Sequence, residues 1–214
     1  MLATWRRLGA QLRSPKGWCG HVAGAFMRFV NRGPNAAALG SLEVQATDDV
    51  LELGFGPGEA IRALARLAPH GRVWGVDQSA AMLAQARARN ARGISLGRVR
   101  LLQATFDRLP VPDQSIDKVL AVNVAYFWDN PGAVLREIWR VLRPGGRISV
   151  YVTDEAVMRR WKFAGEDTHR LYDADKLAGL LGKAPFDAAR VRLSRVPLPL
   201  GLSGIVATVD KPPA

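Results

Sequence analysis

The sequence predicts an α/β fold with a doubly wound, mostly parallel sheet, a C-terminal antiparallel hairpin and an N-terminal helical extension. From Val50 onward, short β-rich runs alternate with segments of helical period, the order expected of parallel strands joined by crossover helices. The last two β-like runs, ARVRLSRV and SGIVATVD, are joined only by PLPLGL. Because this connection has no room for a helix, the two runs are expected to pair antiparallel.

The alternating region predicts five strands and four helices. The strands are expected near 49–53, 72–76, 98–103, 116–122 and 146–152. The helices are expected near 59–69, 79–91, 130–142 and 173–182, with an irregular segment around 154–172. Ser79 stands where its side chain can cap the second helix.

The beginning of the chain has a helical pattern. LATWRRLGAQL places Leu2, Trp5 and Leu8 on one face, and GWCGHVAGAFMRFVNR repeats apolar residues four apart. This segment is too short to form a domain. We therefore expect residues 1–45 to be a helical extension that covers the ligand-bearing end of the sheet, and residues 46–214 to form one domain.

Composition indicates a globular protein of a reducing compartment. The chain has 214 residues, of which 48% are hydrophobic and 23% are charged. Its single cysteine, Cys19, cannot form an internal disulfide. No apolar stretch approaches the ~20 residues needed to span a bilayer, and the N-terminus lacks the features of a signal peptide. We expect a cytoplasmic protein.

The formal net charge of +11 leaves several partners open. The first 32 residues carry six basic side chains and no acidic one, and a second basic cluster comprises Arg87, Arg89, Arg92, Arg98 and Arg100. Such charge could serve nucleic acid, anionic lipid or an acidic substrate, and it is also typical of solvated helix faces. A peripheral membrane contact through the basic N-terminal helices stays open, whereas nucleic acid is disfavoured because no RNA-binding module is recognisable.

A glycine-rich turn predicts a ligand site. A strand ending at Leu53 is followed by Gly54-Phe55-Gly56-Pro57-Gly58 and by a helix that begins near Glu59. This arrangement brings backbone N–H groups and the positive end of a helix to the C-terminal edge of the sheet. Dinucleotide-binding enzymes use nearly the same device.

The spacing of this turn favours a ligand without a pyrophosphate. The dinucleotide fingerprint requires G-x-G-x-x-G/A, whereas here Glu59 occupies the third small position. Its carboxylate would repel a pyrophosphate, and Glu52 adds a second carboxylate near the turn. Both residues suit a ligand with cationic groups. Asp77 ends the next strand, 19 residues after Gly58, where it can accept hydrogen bonds from ribose hydroxyls.

The residues from Val50 to the C-terminus resemble the class I S-adenosylmethionine-dependent methyltransferases. Four pieces occur in the family's order: VLELGFGPG, VWGVDQSAAML, LPVPDQSIDKVLAVNVAYFW and LREIWRVLRPGGRISVY. The likeness is strongest to small-molecule enzymes similar to those of quinone biosynthesis. It implies S-adenosylmethionine as cofactor and a Rossmann-like seven-stranded mostly parallel sheet, whose reversed edge hairpin agrees with the two terminal runs.

The resemblance also implies the cofactor contacts. Backbone groups of the glycine turn would hold the methionine part, Glu52 its cationic groups and Asp77 the ribose. Gln78 and Met82 would pack beside the adenine. Many relatives have an acidic residue where Thr105 stands, so the adenine contact is expected from backbone near Phe106, or from Asp107. The complete set is Glu52, Gly54, Phe55, Gly56, Pro57, Gly58, Asp77, Gln78, Met82, Ala104, Thr105, Phe106 and Asn123.

Candidate catalytic residues follow the fourth and fifth strands. Methyl transfer from a sulfonium is an in-line displacement that mainly requires alignment and exclusion of water. Tyr126 and Trp128 are candidates for the wall of an acceptor pocket, and His169 for accepting a proton. The alternatives are apolar packing and a loop-capping histidine. The three histidines have no metal-ligand spacing, so no metal site is expected.

Three functions are weighed on these residues. The leading one is methyl transfer to a small-molecule acceptor by a monomeric or homodimeric enzyme. The second makes RNA or an anionic lipid the acceptor. The third is a non-catalytic S-adenosylmethionine-binding protein. The sequence does not identify the acceptor.

Overall fold

A computed structural model describes residues 31–161, 169–183 and 185–214. Most of the predicted N-terminal extension, including Cys19, His21 and five of the six basic side chains noted above, lies outside the described residues. In the described part of the chain, no helix is both long and apolar enough to cross a membrane.

Among the described residues, seven strands form one sheet in the order β3-β2-β1-β4-β5-β7-β6. The strands are β1 (Val50–Leu53), β2 (Val73–Asp77), β3 (Val99–Gln103), β4 (Ile116–Val122), β5 (Leu142–Thr153), β6 (Arg192–Leu198) and β7 (Leu202–Asp210). The first five are parallel, whereas β7 is antiparallel to both β5 and β6. The predicted fold class is confirmed, including the reversed terminal hairpin.

Among the described residues, one helix precedes β1 and the others lie between strands. They are α1 (Arg32–Leu42), α2 (Glu59–Leu67), α3 (Ala80–Arg89), α4 (Ala91–Ser95), α5 (Pro131–Val141), α6 (Glu155–Met158) and α7 (Ala174–Leu181). Short 3₁₀ turns occupy Ala125–Phe127, Ala188–Arg190 and Pro199–Gly201. The predicted cap is confirmed, since the Ser79 hydroxyl accepts a hydrogen bond of 3.3 Å from the Met82 N–H.

The largest difference from the predicted strand limits is at the start of β5. β5 begins at Leu142, four residues before the predicted start, because Leu142 already pairs with Ile116. The register then shifts, and pairing resumes at Arg147 opposite Lys118. Gly145, at φ 78°, lies within the shifted segment. The Pro-Gly-Gly sequence therefore forms an irregularity inside the strand, where the sequence pattern suggested a loop before it.

Two apolar clusters cover opposite faces of the sheet. Alternation along β1 sends Leu51 and Leu53 to the cluster that contains α5 and α7, while Val50 joins the cluster that contains α1, α2 and α3. All four β1 residues are buried. A strand buried on both faces is what a doubly wound sheet produces, so the core lies on both sides of the central strands.

Helix α1 belongs to this core and runs antiparallel to the parallel strands. At its beginning, Asn31 contacts Asn123, which follows the C-terminal end of β4. Near its other end, Ser41 hydrogen-bonds Ser149 in β5 at 2.9 Å. The chain therefore enters α1 at the edge of the sheet where the glycine turn lies. The residues that precede α1 are therefore connected to the fold at this edge of the sheet.

Candidate functional site

The glycine turn after β1 has three residues in left-handed conformations. Gly54, Gly56 and Gly58 have φ values of 69°, 51° and 83°. The Gly54 N–H donates to the Val76 carbonyl at 2.8 Å, which ties the turn to the end of β2. Because side chains disfavour this region of backbone space, glycine suits all three positions.

The three glycines differ in what surrounds them. A Cβ at Gly54 would lie 2.4 Å from Val124 Cγ2, and one at Gly58 would lie 2.8 Å from Ala86 Cβ. At Gly56, no described atom lies within 4 Å of the Cβ position. Internal packing therefore excludes side chains at the first and third positions. The middle glycine presents bare backbone to open space, as a ligand cradle requires.

Asp77 links the tip of β2 to this cradle. Its carboxylate accepts hydrogen bonds from the Gly56 N–H at 2.9 Å and from the Ser79 N–H at 2.8 Å, one on each oxygen. Burial raises the pKa of Asp77 to about 6, although these N–H groups oppose the rise. Each carboxylate oxygen has a further lone pair. Asp77 can therefore orient the turn and still accept hydrogen bonds from hydroxyl groups of a ligand.

Glu52 is a buried carboxylate beneath the turn. It is 4% exposed, and among the described residues its Oε2 atom has no hydrogen-bond partner. Burial, together with the charge of Asp77, raises the pKa of Glu52 to about 8. A buried carboxylate oxygen without a hydrogen-bond partner is unfavourable. A cationic group bound at the turn would relieve this unfavourable state.

Glu59 does not act as the spacing suggested. It begins α2, but its carboxylate lies 3.1 Å from Arg89 Nε, and Arg89 also donates to the Pro57 carbonyl at 2.6 Å. The arginine offsets the charge that was expected to repel a pyrophosphate. The sequence argument therefore rests on Glu52 more than on Glu59. The arginine itself could not be assigned to the turn from sequence.

Asn90 is a second support of the turn that sequence reasoning missed. Its buried side-chain amide donates to the Gly58 carbonyl at 3.1 Å and to the Ala86 carbonyl at 2.9 Å. The capping preference of asparagine at a helix end was the available signal, but it does not reveal a partner 32 residues away.

The residues expected near the adenine separate into two groups. Gln78, Ala104 and Thr105 lie beside Asp77 at the sheet edge: the Ala104 N–H donates to the Asp77 carbonyl at 3.2 Å, and Thr105 is exposed. Met82 and Phe106 are instead buried in the two core clusters, one on each face of the sheet. Their predicted contacts with the adenine stay predictions.

Asn123 is the centre of a hydrogen-bond network at the end of β4. It has a φ of 52°, which is uncommon outside glycine. Its Oδ1 accepts from the Tyr126 hydroxyl at 2.9 Å and from the Thr153 N–H at 3.2 Å, while its Nδ2 donates to Asn31 Oδ1 at 2.9 Å. The network joins the ends of β4 and β5 to the beginning of α1. Sequence reasoning had missed Asn31 and Thr153.

Tyr126 and His169 are brought together by the fold. Their ring centroids lie 6.0 Å apart, and the His169 ring lies 4.9 Å from that of Phe127. Tyr172 completes this aromatic cluster at 6.3 Å from Tyr126. Burial raises the pKa of the Tyr126 phenol above its ordinary value, so the phenol is protonated at neutral pH. Trp128 is fully buried in the core, in agreement with the packing alternative.

Comparison with known proteins identifies the family. A family model described as a methyltransferase domain matches residues 51–150. The uncharacterized methyltransferase YdaC of Bacillus subtilis is 32% identical over 129 residues, which are 60% of this chain and 69% of that protein. The chain belongs to the S-adenosylmethionine-dependent methyltransferases. The predicted activity and cofactor are thereby confirmed.

Further relatives support the finer resemblance. A demethylmenaquinone methyltransferase of Thermus thermophilus is 39% identical over 129 residues, 59% of this chain and 54% of that protein. The match therefore spans only about half the length of that relative. The predicted relation of this methyltransferase to quinone-biosynthesis enzymes is confirmed. The protein solved in complex with the Trm112 methyltransferase activator of Haloferax volcanii has the same fold, with a TM-score of 0.71 and 22% identity over 88% of this chain and 93% of that chain.

The site suits the cofactor of this family. S-adenosylmethionine carries a sulfonium, an ammonium and two ribose hydroxyls. The unpaired oxygen of Glu52 suits a cation, Asp77 suits hydroxyl donors, and the open side of Gly56 admits a ligand against the backbone. The residues present therefore fit the group that the family uses.

Proposed function

We propose that this methyltransferase transfers a methyl group to a small, largely apolar molecule bound beside Tyr126, Phe127 and His169. The observation that carries the proposal is the aromatic cluster of these residues at the C-terminal edge of the sheet. Flat aromatic surfaces favour a ring-bearing or otherwise apolar acceptor. One relative is named for the methylation of demethylmenaquinone, which supports an acceptor of this class.

In this proposal the cofactor lies between the glycine turn and the end of β4. Backbone groups of Gly54–Gly58 and the carboxylate of Glu52 bind the methionine part, with Asn123 beside it. Asp77 accepts from the ribose hydroxyls, and Gln78, Ala104 and Thr105 line the adenine side. The positions of Asp77 and Gly56, which share a hydrogen bond, support this orientation.

The bound cofactor supplies an activated methyl group on a positively charged sulfur. A nucleophilic atom of the acceptor would take this methyl group, and the sulfur would keep the electron pair of the broken carbon–sulfur bond. The protein's contribution is to hold the two molecules in line and to exclude water. A proton on the acceptor atom leaves to a base.

We assign the proton-accepting role to His169 and the wall of the acceptor site to Tyr126. The Tyr126 phenol is protonated and donates to Asn123, so it orients its surroundings instead of accepting a proton. Histidine has an ordinary pKa near neutrality, which suits a base at cellular pH. His169 is 4% exposed, so a proton accepted there is shielded from bulk water.

We further propose that the residues preceding Asn31 cover the acceptor. Helix α1 begins at the ligand-bearing edge of the sheet, so the chain before it emerges beside Asn123. In this proposal, residues 1–45 form the extension and residues 46–214 form the S-adenosylmethionine-binding domain. The apolar faces predicted for the extension would then meet an apolar acceptor.

The proposal is tested with purified protein, labelled S-adenosylmethionine and a panel of acceptors. The panel should contain phenols, quinols, small carboxylic acids, amines, RNA and anionic lipid. Methyl transfer to an apolar ring compound, with saturation kinetics, supports the proposal. Transfer to RNA or lipid alone contradicts it.

The role of His169 is tested by His169→Gln, with His70→Gln as a matched control in an exposed turn remote from the site. Loss of the base should lower kcat at least roughly tenfold and remove the acid limb of the pH–rate profile. The affinity for S-adenosylhomocysteine should stay unchanged in both variants. An unchanged kcat in His169→Gln would eliminate the proposed base.

A further inference from the structure

A hydrogen bond joins the beginning of α1 to the end of β4. Asn31 Oδ1 accepts from Asn123 Nδ2 at 2.9 Å, between residues that are 92 positions apart. Among the described residues, the Asn31 side chain makes no capping hydrogen bond to α1, although Asn31 stands at the N-cap position. Its carboxamide is therefore directed to Asn123 and not to its own helix.

This bond agrees with the orientation of the Asn123 amide. Asn123 Oδ1 accepts from the Tyr126 hydroxyl and from both the N–H and the hydroxyl of Thr153, at 2.9, 3.2 and 3.3 Å. A flipped amide would place its NH₂ group against the Thr153 N–H, which can only donate. An acceptor on the opposite side of Asn123 favours the observed orientation, and Asn31 Oδ1 is that acceptor.

The orientation of Asn123 affects both halves of the site. Its left-handed backbone directs the chain into Val124, which contacts the glycine turn closely enough that a Cβ on Gly54 would lie 2.4 Å from it. Two residues further on, Tyr126 belongs to the aromatic cluster with His169. Left-handed conformations of residues other than glycine persist where their surroundings hold them.

We propose that Asn31 is a positioning residue for methyl transfer. Its carboxamide oxygen holds the Asn123 amide so that the segment 123–126 supports the glycine turn on one side and the acceptor wall on the other. Formation of the α1 N-terminus thereby completes the cofactor site. This inference rests on the proposed contact of the Asn123 segment with the cofactor.

The test measures S-adenosylhomocysteine binding by calorimetry and stability by urea unfolding in four single variants of the full chain and in the double variant Asn31→Ala/Asn123→Gly. Asn31→Ala removes the acceptor oxygen, whereas Asn31→Asp keeps one. Ser41→Ala is the matched control, because the Ser41 hydroxyl also ties α1 to the sheet but at the remote end, through its hydrogen bond with the Ser149 hydroxyl. Asn123→Gly accommodates the left-handed backbone and removes the side chain through which Asn31 acts.

We expect Asn31→Ala to weaken S-adenosylhomocysteine binding about 3- to 10-fold, the effect of one lost hydrogen bond. Asn31→Asp should bind within about twofold of the unsubstituted protein, and Ser41→Ala should bind equally well. Asn123→Gly should weaken binding. Adding Asn31→Ala to it should have little further effect, because the side chain through which Asn31 acts is already absent.

Separate results distinguish the two levels of the proposal. If Asn123→Gly binds S-adenosylhomocysteine normally, the proposed contact of this segment with the cofactor is wrong, and the positioning role is wrong with it. If Asn123→Gly weakens binding but Asn31→Ala does not, the cofactor contact stands and the role of Asn31 is overturned. An effect of Asn31→Ala that persists undiminished in the Asn123→Gly background also overturns it.

Discussion

At the scale of single residues, the site keeps a carboxylate under conditions that favour its protonated form. Burial raises the pKa of Glu52 to about 8, and the nearby Asp77 contributes to the rise. The site is therefore less stable without its ligand than a neutral version of the same shape would be. Functional sites commonly contain such perturbed groups. The cation of the cofactor is the partner that we propose for Glu52.

Glu52→Gln should make the ligand-free protein less sensitive to alkaline pH. The folded-state pKa of Glu52 lies above its ordinary value of 4.5. Its protonation therefore contributes stability that is complete below about 4.5 and is lost as pH rises through about 8. The pKa of Asp77 is also raised, to about 6, so its deprotonation lowers stability too. That loss of stability is largely complete before pH 7. Between about pH 6.5 and 8.5, urea unfolding should show a smaller decrease in the free energy of unfolding for Glu52→Gln than for the unsubstituted protein.

The same substitution should reduce cofactor affinity. The dissociation constant for S-adenosylmethionine is measured in the variant and in the unsubstituted protein. The ratio of the first to the second should increase as pH rises through 8, because Glu52 becomes charged only in the unsubstituted protein. Taking the ratio cancels the titration of the cofactor's own amino group. Parallel stability curves and a constant ratio would contradict the assignment of Glu52.

Gly56 offers a second test at the residue scale, with Gly97 as its control. Both residues are left-handed, at φ 51° and 70°, and no described atom lies within 4 Å of either Cβ position. Alanine at either position should destabilise the protein by about 1–2 kcal/mol. At Gly56 alone, the methyl group should also obstruct the ligand and weaken S-adenosylhomocysteine binding by about 1–3 kcal/mol, roughly 5- to 150-fold. Equal affinities of the two variants would show that the cofactor does not lie against Gly56.

At the scale of elements, β7 contains a glycine that the packing of β5 requires. A Cβ on Gly204 would lie 2.0 Å from the Tyr151 hydroxyl oxygen and 2.2 Å from its Cζ. The Tyr151 ring is fully buried. The ring therefore has little room to move away. Glycine at position 204 is required for β5 and β7 to pair with the Tyr151 ring in this place.

Gly204→Ala should lower the free energy of unfolding by about 1–3 kcal/mol through overpacking. Gly179→Ala is the control: Gly179 lies in α7, and no described atom lies within 4 Å of its Cβ position, so alanine there should stabilise by about 0.5–1 kcal/mol. In a Tyr151→Leu background the penalty at Gly204 should largely disappear. A double-mutant cycle by urea unfolding measures this coupling, and purely additive effects would contradict the steric explanation.

At the scale of the whole molecule, part of the positive charge is engaged within the fold. Of the second basic cluster, Arg89 pairs with Glu59, Arg98 donates to the Pro69 carbonyl, and Arg100 lies 4.9 Å above the Trp74 ring. Other arginines connect elements through carboxylates, such as Arg143 with Asp49. These contacts favour structural roles over a surface devoted to nucleic acid.

Binding to RNA or to anionic vesicles should therefore be weak and nonspecific. Any RNA or vesicle binding at about 0.02 M salt should be lost by about 0.15 M, because such attraction is screened and depends on counterion release. Filter binding and vesicle sedimentation measure this, with zwitterionic vesicles as the control. Binding that persists at the higher salt concentration would favour an RNA or lipid acceptor.

The fold and the geometry of the glycine turn could be predicted because their signals are local. The turn Gly54–Gly58 and Asp77 at the next strand end each depend on a few adjacent residues. The helix break at Asn90 and the early start of β5 were less accessible, since both depend on contacts made across the fold. The charge of Glu59 was misjudged for the same reason, because Arg89 lies on another helix.

The sequence by itself determined the order of strands and helices, the reversed terminal hairpin and the family, because hydrophobic period and glycine spacing are properties of short segments. Only the tertiary structure decided that Glu52 is buried with one oxygen that has no partner among the described residues, that Arg89 neutralises Glu59, and that Asn31 reaches Asn123. Burial and hydrogen bonding depend on which segments the sheet order brings together. Residues 92 positions apart become neighbours here because α1 begins where β4 ends.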